Sequence, residues 1–290
     1  MNWPQQICYQ TLGGFAGELP IAQAIQHAHD IGFDGIELAF GIGELLSGVT
    51  QQACSALRET AADLDLPLRT LATGAYWSQS LSDSRPEVRH ASIAFTCDYL
   101  RTAQALGVAT ILVVPGHVAV PWDSTQPVIP YAQAWELATA SLQECLPLAE
   151  ELGVTIAIEN VWNWFLADPI AMRTFVDQFA SPYLGVYFDA GNVLINGYPE
   201  HWVEILGQRI KAVHVKNFTR TDCGGGMQGF GDDLTVGDMD WPALTAALRG
   251  IDYTGPITAE VFASPHPEQQ FPYLEYASVV CAHLRQLLAE

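Results

Sequence analysis

Basic residues are scarce in this chain, which has 12 Lys and Arg against 32 Asp and Glu and a formal net charge of −20. Such a surplus of negative charge repels the phosphates of nucleic acids and the anionic surfaces of membranes. We therefore expect neither nucleic acid nor a membrane as a partner. A small-molecule substrate fits this charge balance better.

Signals of export or membrane insertion are missing as well. The sequence has no run of about 18 apolar residues, the length that suggests a membrane-spanning helix. Its beginning, MNWPQQICYQ, lacks the basic and apolar regions of a secretory signal. The six cysteines are widely spaced without a CxxC pair, which argues against a disulfide framework or a zinc knuckle. These features predict a cytoplasmic protein.

Charged residues make up only 15% of the chain, whereas hydrophobic residues make up 49%. This composition is typical of a globular protein, because enough apolar surface is present to bury a substantial core. The 290 residues also suit one large domain, since α/β barrels reach this size without dividing. We predict a single domain over residues 1–290.

Short apolar runs of strand length alternate with segments of helical period along the whole chain. An open doubly wound sheet is the main alternative, but its glycine fingerprint is absent, and QTLGGFAGE is interpreted as a loop. Eight strand–helix units predict an α/β fold, a (β/α)8 TIM barrel. The strands are predicted near ICYQTL, GIELAF, LRTLAT, TILVVPG, VTIAIEN, LGVYFDA, KAVHVKN and PITAEVF, and the helices include Leu19–Ile31, Tyr131–Leu152 and Pro169–Phe179.

Four consecutive strands in the second half of the chain end in residues of the types that bind metals. VTIAIE ends at Glu159, and the later strands carry Asp189, His214 and Glu260 in GVYFDA, KAVHVK and PITAEV. Branched residues alternate with these residues, which places the metal-binding types on the inner face of a barrel. A single carboxylate after a strand is more often a helix cap. Four in matching positions predict a shared metal site at the strand carboxyl ends.

The predicted ligands are three carboxylates and one imidazole. Such oxygen-rich ligation favours Mn²⁺, Mg²⁺ or Co²⁺ over structural zinc, which prefers thiolates and imidazoles. The expected cofactor is therefore a divalent metal ion, with Mn²⁺ as the first choice and open positions for substrate oxygens.

Sequence motifs at these positions resemble those of a known family. They are IGFDGIEL at Glu37, AIENVWN at Glu159, YFDAGN at Asp189 and Asn192, VHVKNFTR at His214 and Arg220, and ITAEVF at Glu260. Over essentially its whole length the chain resembles the xylose-isomerase-like superfamily of sugar isomerases and epimerases, which includes D-tagatose 3-epimerases and L-xylulose 5-phosphate 3-epimerases. The resemblance implies that Glu159, Asp189, His214 and Glu260 hold the metal, and that the two glutamates are the catalytic acid/base pair.

Two glutamates suit the chemistry that this resemblance implies. Removing a proton beside a ketone leaves an enediolate, whose charge a divalent cation stabilises as a Lewis acid. Epimerisation then needs a proton on the opposite face, and Glu159 and Glu260 approach from different parts of the barrel wall. We therefore predict a metal-dependent isomerase that epimerises a ketose or ketose phosphate at C3. Aldose–ketose isomerisation and dehydration of an inosose-type ketone would use the same site and stay open.

Asn192 departs from the tagatose epimerase branch, which has a histidine at this position. An asparagine can hydrogen-bond a substrate hydroxyl but cannot carry a proton, and after a glycine it can equally be a turn residue. The apurinic endonuclease branch of the superfamily also has a histidine there, so Asn192 and the acidic charge argue against DNA cleavage. Non-catalytic sugar binding is disfavoured because both candidate bases are present.

Further substrate contacts are predicted around the barrel mouth. Arg220 matches a family arginine that contacts substrate oxygens, and Lys216 could bind a hydroxyl or a phosphate. His117, Glu37 and Trp162 lie at or after other strand ends and are candidates to line the pocket. The segment CGGGMQGFG lacks the spacing of a phosphate-binding loop and is predicted to be a flexible loop. The resemblance also implies a homodimer.

Overall fold

A computed structural model of the protein describes residues 2–220, 229–262 and 272–289. Within these residues, eight parallel strands close into a barrel in which each strand pairs with its neighbours in sequence and the last pairs with the first. The predicted (β/α)8 barrel is therefore confirmed. The strands are β1 (Gln5–Cys8), β2 (Gly35–Ala39), β3 (Thr70–Ala72), β4 (Thr110–Val113), β5 (Thr155–Glu159), β6 (Leu184–Asp189), β7 (Ile210–Val215) and β8 (Ile257–Ala259).

Helices connect the strands and pack on the outside of the barrel. None of the helices in the described ranges is long and apolar enough to cross a membrane. The helices are α1 (Ile21–Ile31), α2 (Gln51–Asp63), α3 (Pro86–Leu106), α4 (Tyr131–Leu152), α5 (Pro169–Asp177), α6 (Ala190–Val193), α7 (Pro199–Leu206), α8 (Trp241–Gly250) and α9 (Tyr273–Ala289).

The helix α4 spans the predicted residues, whereas α1 begins two residues later than predicted. Pro20 precedes α1 in an extended conformation, with φ −56° and ψ 133°. Since a residue before a proline is disfavoured in the helical region, Leu19 cannot begin the helix. The helical periodicity predicted for this segment is present, and Pro20 determines where the helix begins.

Local sequence signals set the ends of the other helices. At the start of α5, Asp168 Oδ1 accepts hydrogen bonds of 2.9 Å from the backbone N–H groups of Ile170 and Ala171. Pro169 occupies the first turn, where its missing N–H leaves no partner unsatisfied. At the C-terminal end of α4, Gly153 adopts φ 67°, a left-handed conformation that glycine tolerates best.

Inside the barrel, polar side chains form a buried layer below the strand carboxyl ends. Gln6 Nε2 donates hydrogen bonds to Thr70 Oγ1 at 2.9 Å and to Thr258 Oγ1 at 3.0 Å. These bonds join β1, β3 and β8 across the interior. Above this layer, inward-facing residues of several strands line a cavity that opens at the carboxyl ends of the strands.

The outward-facing side of β5 provides a test of the packing between barrel and helices. Ile156 is fully buried in the core, whereas Val128 is 72% exposed. We expect Ile156→Ala to lower the free energy of unfolding by roughly 2–5 kcal/mol, because it removes buried methyl groups and leaves a cavity. Val128→Ala should change it by less than about 0.5 kcal/mol. Urea unfolding followed by circular dichroism measures both, and equal effects would contradict this packing.

Candidate functional site

The four predicted metal ligands meet at the carboxyl end of the barrel. Glu159 and Asp189 are the last residues of β5 and β6, His214 lies near the end of β7, and Glu260 directly follows β8. Asp189 is in register with His214 on the neighbouring strand. One ligand atom from each of the four residues lies within 4.8 Å of the others. The alternation of the strands and the closure of the barrel together bring these residues into one cluster, called here the ligand cluster.

His214 is oriented by a carboxylate on the opposite side of the barrel. Its Nε2 lies 2.7 Å from Glu37 Oε1, so Nε2 carries the hydrogen and Glu37 accepts it. Its Nδ1 is buried without a hydrogen-bond partner and lies 3.7 Å from both Glu159 Oε1 and Glu260 Oε2. This buried imidazole nitrogen and the carboxylates that it faces form a donor set that fits a divalent cation. The hydrogen bond to Glu37 orients the ring, as carboxylates commonly do for metal-bound histidines.

Glu37 was predicted to contact the substrate, and the structure places it mainly against protein groups. Its second oxygen accepts a hydrogen bond from the hydroxyl of Tyr187, and its side chain is almost fully buried while still reaching the cavity. Tyr187 was not among the predicted site residues. Its position two residues before Asp189, on the same inward face of β6, was a signal that could have identified it.

Asparagine side chains hold the turn after β6 in place. Asn160 donates to the Asp189 carbonyl at 2.8 Å and accepts from the Asp189 N–H at 2.9 Å. Asn192 donates from Nδ2 to the Asn160 carbonyl at 3.0 Å and accepts a 2.7 Å hydrogen bond from Trp162 Nε1. Asn192 and Trp162 also line the cavity. Asn160, which sequence reasoning missed, follows Glu159 directly.

Lys216 places its ammonium among the same carboxylates. Its Nζ donates to Asp189 Oδ2 at 2.6 Å and to Glu260 Oε2. The stem of Lys216 passes close to Gly191, where a Cβ atom would overlap Lys216 Cγ. A larger residue at position 191 would therefore push the lysine away from the carboxylates. The ammonium offsets part of the repulsion between the converging acids.

The two glutamates of the ligand cluster have different proton affinities in the absence of an ion. Burial raises the pKa of Glu159 to about 7, and the nearby charge of Glu260 adds to this effect while the neighbouring His214 imidazole opposes it. Burial also acts to raise the pKa of Glu260, but Lys216 and His214 outweigh it and lower that pKa. The surroundings of the two carboxyl groups therefore shift their pKa values in opposite directions.

A cavity of about 460 Å³ lies directly above the ligand cluster. Trp77, an aromatic residue that follows β3, lines this cavity. Sequence reasoning missed other lining residues, most of which come from loops whose position the strand pattern does not define. They include Cys8 at the end of β1, Gln10, Trp122, Phe230, Asp232 and Phe262.

Two predicted substrate contacts are absent from the described lining of this cavity. The guanidinium of Arg220 donates to the Leu194 carbonyl at 2.9 Å and the Gly197 carbonyl at 2.7 Å, and packs 4.9 Å from the ring centre of Tyr198. His117 is buried, and burial lowers its pKa.

The predicted flexible loop, CGGGMQGFG, falls largely on residues 221–228, which lie outside the described residues.

The contact between Glu37 and His214 can be tested through metal affinity. Glu37→Gln keeps the shape of the side chain but removes the charge that orients the imidazole. We expect this change to weaken Mn²⁺ binding by about 10- to 100-fold, the usual effect of losing such support. Glu151→Gln, an exposed position on α4, serves as the control. Isothermal titration calorimetry measures both affinities, and unchanged binding in Glu37→Gln would show that the contact does not support a ligand.

Lys216 should compete with a divalent cation, because both interact with the same carboxylate oxygens. We expect Lys216→Met to tighten Mn²⁺ binding by about tenfold or more, since a nearby positive charge is removed. Lys211→Met is the matched control, because Lys211 lies on β7, the strand that Lys216 follows, and donates to the Gln208 carbonyl at 3.2 Å. Weaker Mn²⁺ binding in Lys216→Met, measured by the same titration, would contradict competition.

Solved structures of sugar epimerases share this architecture. A D-psicose 3-epimerase from Clostridium cellulolyticum H10, solved with D-tagatose, is 20% identical with a TM-score of 0.80, and the match covers 98% of this chain and 99% of that one. An L-ribulose 3-epimerase is 18% identical with a TM-score of 0.80, covering 99% and 95%. A 3-keto-D-glucoside 4-epimerase from E. coli is 16% identical with a TM-score of 0.75, covering 98% and 100%. At these identities the similarity shows the fold.

The sequence matches no curated protein significantly. A sequence model of the xylose isomerase-like TIM barrel family matches residues 25–275, which is most of the chain. This match agrees with the barrel topology and with the motifs at the strand ends. The chain belongs to the xylose isomerase-like TIM barrel family.

Proposed function

We propose that the protein is a metal-dependent sugar epimerase that inverts a ketose at C3, with Glu159 and Glu260 as the acid/base pair. The observation that carries this proposal is the meeting of these two glutamates at one imidazole nitrogen. Each has an oxygen 3.7 Å from His214 Nδ1, and both line the same cavity. They come from β5 and β8, which lie apart in the barrel.

The position of the two carboxylates suits inversion at a carbon atom. A substrate in the cavity would lie between them, so one could take a proton from one face and the other could return a proton to the opposite face. Proton transfer needs heavy atoms within hydrogen-bond reach, and both side chains border the space where the substrate would lie. Two carboxyl groups of unlike pKa can serve as acid and base in the same turnover.

Asp189 and His214 complete the proposed metal site but take no part in proton transfer. Asp189 is fixed by Asn160, and His214 is fixed by Glu37. A bound divalent cation, of which Mn²⁺ is our first choice, would supply Lewis-acid stabilisation of the negative charge that develops on substrate oxygens. The oxygen-rich donor set favours Mn²⁺, Mg²⁺ or Co²⁺.

Lys216, Asn192 and Trp162 are proposed to bind the substrate beside this site. All three line the cavity. A Lys216 ammonium displaced from the carboxylates would remain in the cavity and could donate to a substrate oxygen. Trp162 offers an apolar face next to the ligand cluster, and its hydrogen bond to Asn192 holds that face in place. Asn192 therefore serves first as a positioning residue for the tryptophan.

The neighbours support ketose chemistry, since those named above include 3-epimerases of D-psicose and L-ribulose. Aldose–ketose isomerisation and dehydration of an inosose-type ketone begin with the same proton removal and are distinguished by their products.

The proposal includes a single domain over residues 1–290, a cytoplasmic location and a homodimer.

Solvent deuterium exchange tests the reaction. In the presence of Mn²⁺, the protein should incorporate deuterium at C3 of D-fructose, as followed by NMR, and chelation of the metal should abolish this exchange. Glu159→Gln and Glu260→Gln should each slow it by about 10²- to 10⁴-fold, the usual contribution of a general acid or base. Glu151→Gln is the control. Exchange at C1 would indicate an isomerase instead, and normal exchange in both active-site variants would refute the assignment.

A further inference from the structure

The charge of the cavity disfavours a phosphorylated substrate. Carboxylates of Glu37, Glu159, Asp232 and Glu260 line it, whereas Lys216 is the only lysine or arginine among the described lining residues. The segments 221–228 and 263–271 contain neither lysine nor arginine in the sequence. A phosphate dianion in this cavity would therefore meet mainly like charge.

Lys216 and Arg220, the two basic residues predicted to bind the substrate, both contact protein groups in the structure. The ammonium of Lys216 contacts Asp189 and Glu260, and the guanidinium of Arg220 is held by two backbone carbonyls. A divalent cation together with Lys216 would balance the three carboxylates of the ligand cluster without adding net positive charge. Recognition of phosphate usually depends on arginine forks or several free donors, and the described part of this cavity presents neither.

One side of the cavity is instead a continuous row of aromatic rings, called here the aromatic wall. Trp77 and Trp122 have ring centres 4.4 Å apart, Trp122 and Trp162 lie 5.4 Å apart, and Trp162 and Phe230 lie 5.8 Å apart. All four rings line the cavity. Ligand pockets with mainly aromatic lining and few polar groups bind the apolar faces of their ligands.

The aromatic wall begins at the ligand cluster and extends to solvent. Trp162 is fixed to Asn192, whose backbone N–H donates to Asp189 Oδ1 at 2.8 Å. Trp122, between Trp77 and Trp162 in the row, is 49% exposed, which is a large apolar surface for a ring that lines a cavity. Such a ring is available to a part of the ligand that lies beyond the reacting carbon.

The size of the cavity agrees with a ligand of this kind. Its volume of about 460 Å³ falls within the range of about 300–1,000 Å³ that is usual for drug-sized ligands. Trp77 and Trp122 line this volume without belonging to the ligand cluster. They offer apolar surface to a second ring attached to a sugar at the ligand cluster.

We propose that the cavity takes an uncharged keto sugar that carries a second ring, such as a glycosyl group, stacked on the aromatic wall, and that it discriminates against sugar phosphates. This inference rests on the proposed function, because it assigns the substrate class of the same site. The ketose end lies at the ligand cluster, and the second ring lies against Trp122 and Trp77.

Three sugars separate charge from size. D-Fructose 6-phosphate and isomaltulose carry a phosphate and a glucosyl group, respectively, on the same O6 atom, so both have the same ring forms available. D-Fructose is the unsubstituted reference. We expect deuterium exchange at C3, in the presence of Mn²⁺, to have a kcat/KM about tenfold or more higher for isomaltulose than for D-fructose 6-phosphate, because the phosphate meets like charge.

Variants of Trp122 test the aromatic wall. Trp122→Ala should lower kcat/KM for isomaltulose by about two- to tenfold more than for D-fructose, the range expected for one lost aromatic contact. Trp122→Phe retains a ring and should therefore keep most of the kcat/KM for isomaltulose that Trp122→Ala loses. Trp164→Ala is the matched control, because Trp164 is 56% exposed but does not line the cavity. Thermal unfolding of each variant verifies the fold.

Exchange of D-fructose 6-phosphate as fast as that of isomaltulose would overturn the inference and leave the proposed function intact. Equal losses of kcat/KM for isomaltulose and D-fructose in Trp122→Ala would also overturn the inference and leave the proposed function intact. If none of the sugars exchanges, the proposed function fails, and quenching of tryptophan fluorescence still decides the inference. Selective binding of isomaltulose would support it, whereas preferred binding of the phosphate, or no binding, would overturn it.

Discussion

The hydrogen bond between Glu37 and His214 is the interaction on which the rest of the site depends. It connects β2 with β7, two strands that are not neighbours, so it exists only because the sheet closes into a barrel. Through it the imidazole presents Nδ1 to Glu159 and Glu260 rather than to the barrel interior. Tyr187 fixes the remaining oxygen of Glu37. The ligand cluster is therefore supported from below by a buried polar layer and not by loops alone.

Electrostatic repulsion is the main obstacle to such a site. Asp189, Glu159 and Glu260 converge at one end of the barrel, and burial acts to raise the pKa of each. Lys216 and His214 reduce this repulsion in the ion-free protein, and a bound cation would do so in the loaded one. The cavity above these charges is lined on one side by the aromatic wall. Additional basic residues close to the carboxylates would compete with the metal ion for them.

The fold and the ligand cluster were predictable because both depend on short-range periodicity. Alternation along β5 placed Glu159 on the inner face, and equivalent positions on the next strands identified the other members of the cluster. Contacts that cross the barrel were beyond this reasoning, which is why the hydrogen bonds of Glu37 to His214 and Tyr187 were missed. Loop conformation was equally inaccessible. The structure turns Arg220 toward backbone carbonyls, and it brings Trp122 to the cavity from a loop with no periodic signal.

The closure of β8 against β1 has a consequence for how the protein acquires its site during synthesis. Gln6 and Thr258, 252 positions apart in the sequence, bond to each other in the barrel interior. The barrel cannot close until β8 has left the ribosome, because β8 supplies this contact. Glu260 lies just beyond that strand and is the final ligand to arrive. A nascent chain that stalls before it would expose three acidic or imidazole ligands of an open sheet, with no enclosed cavity above them.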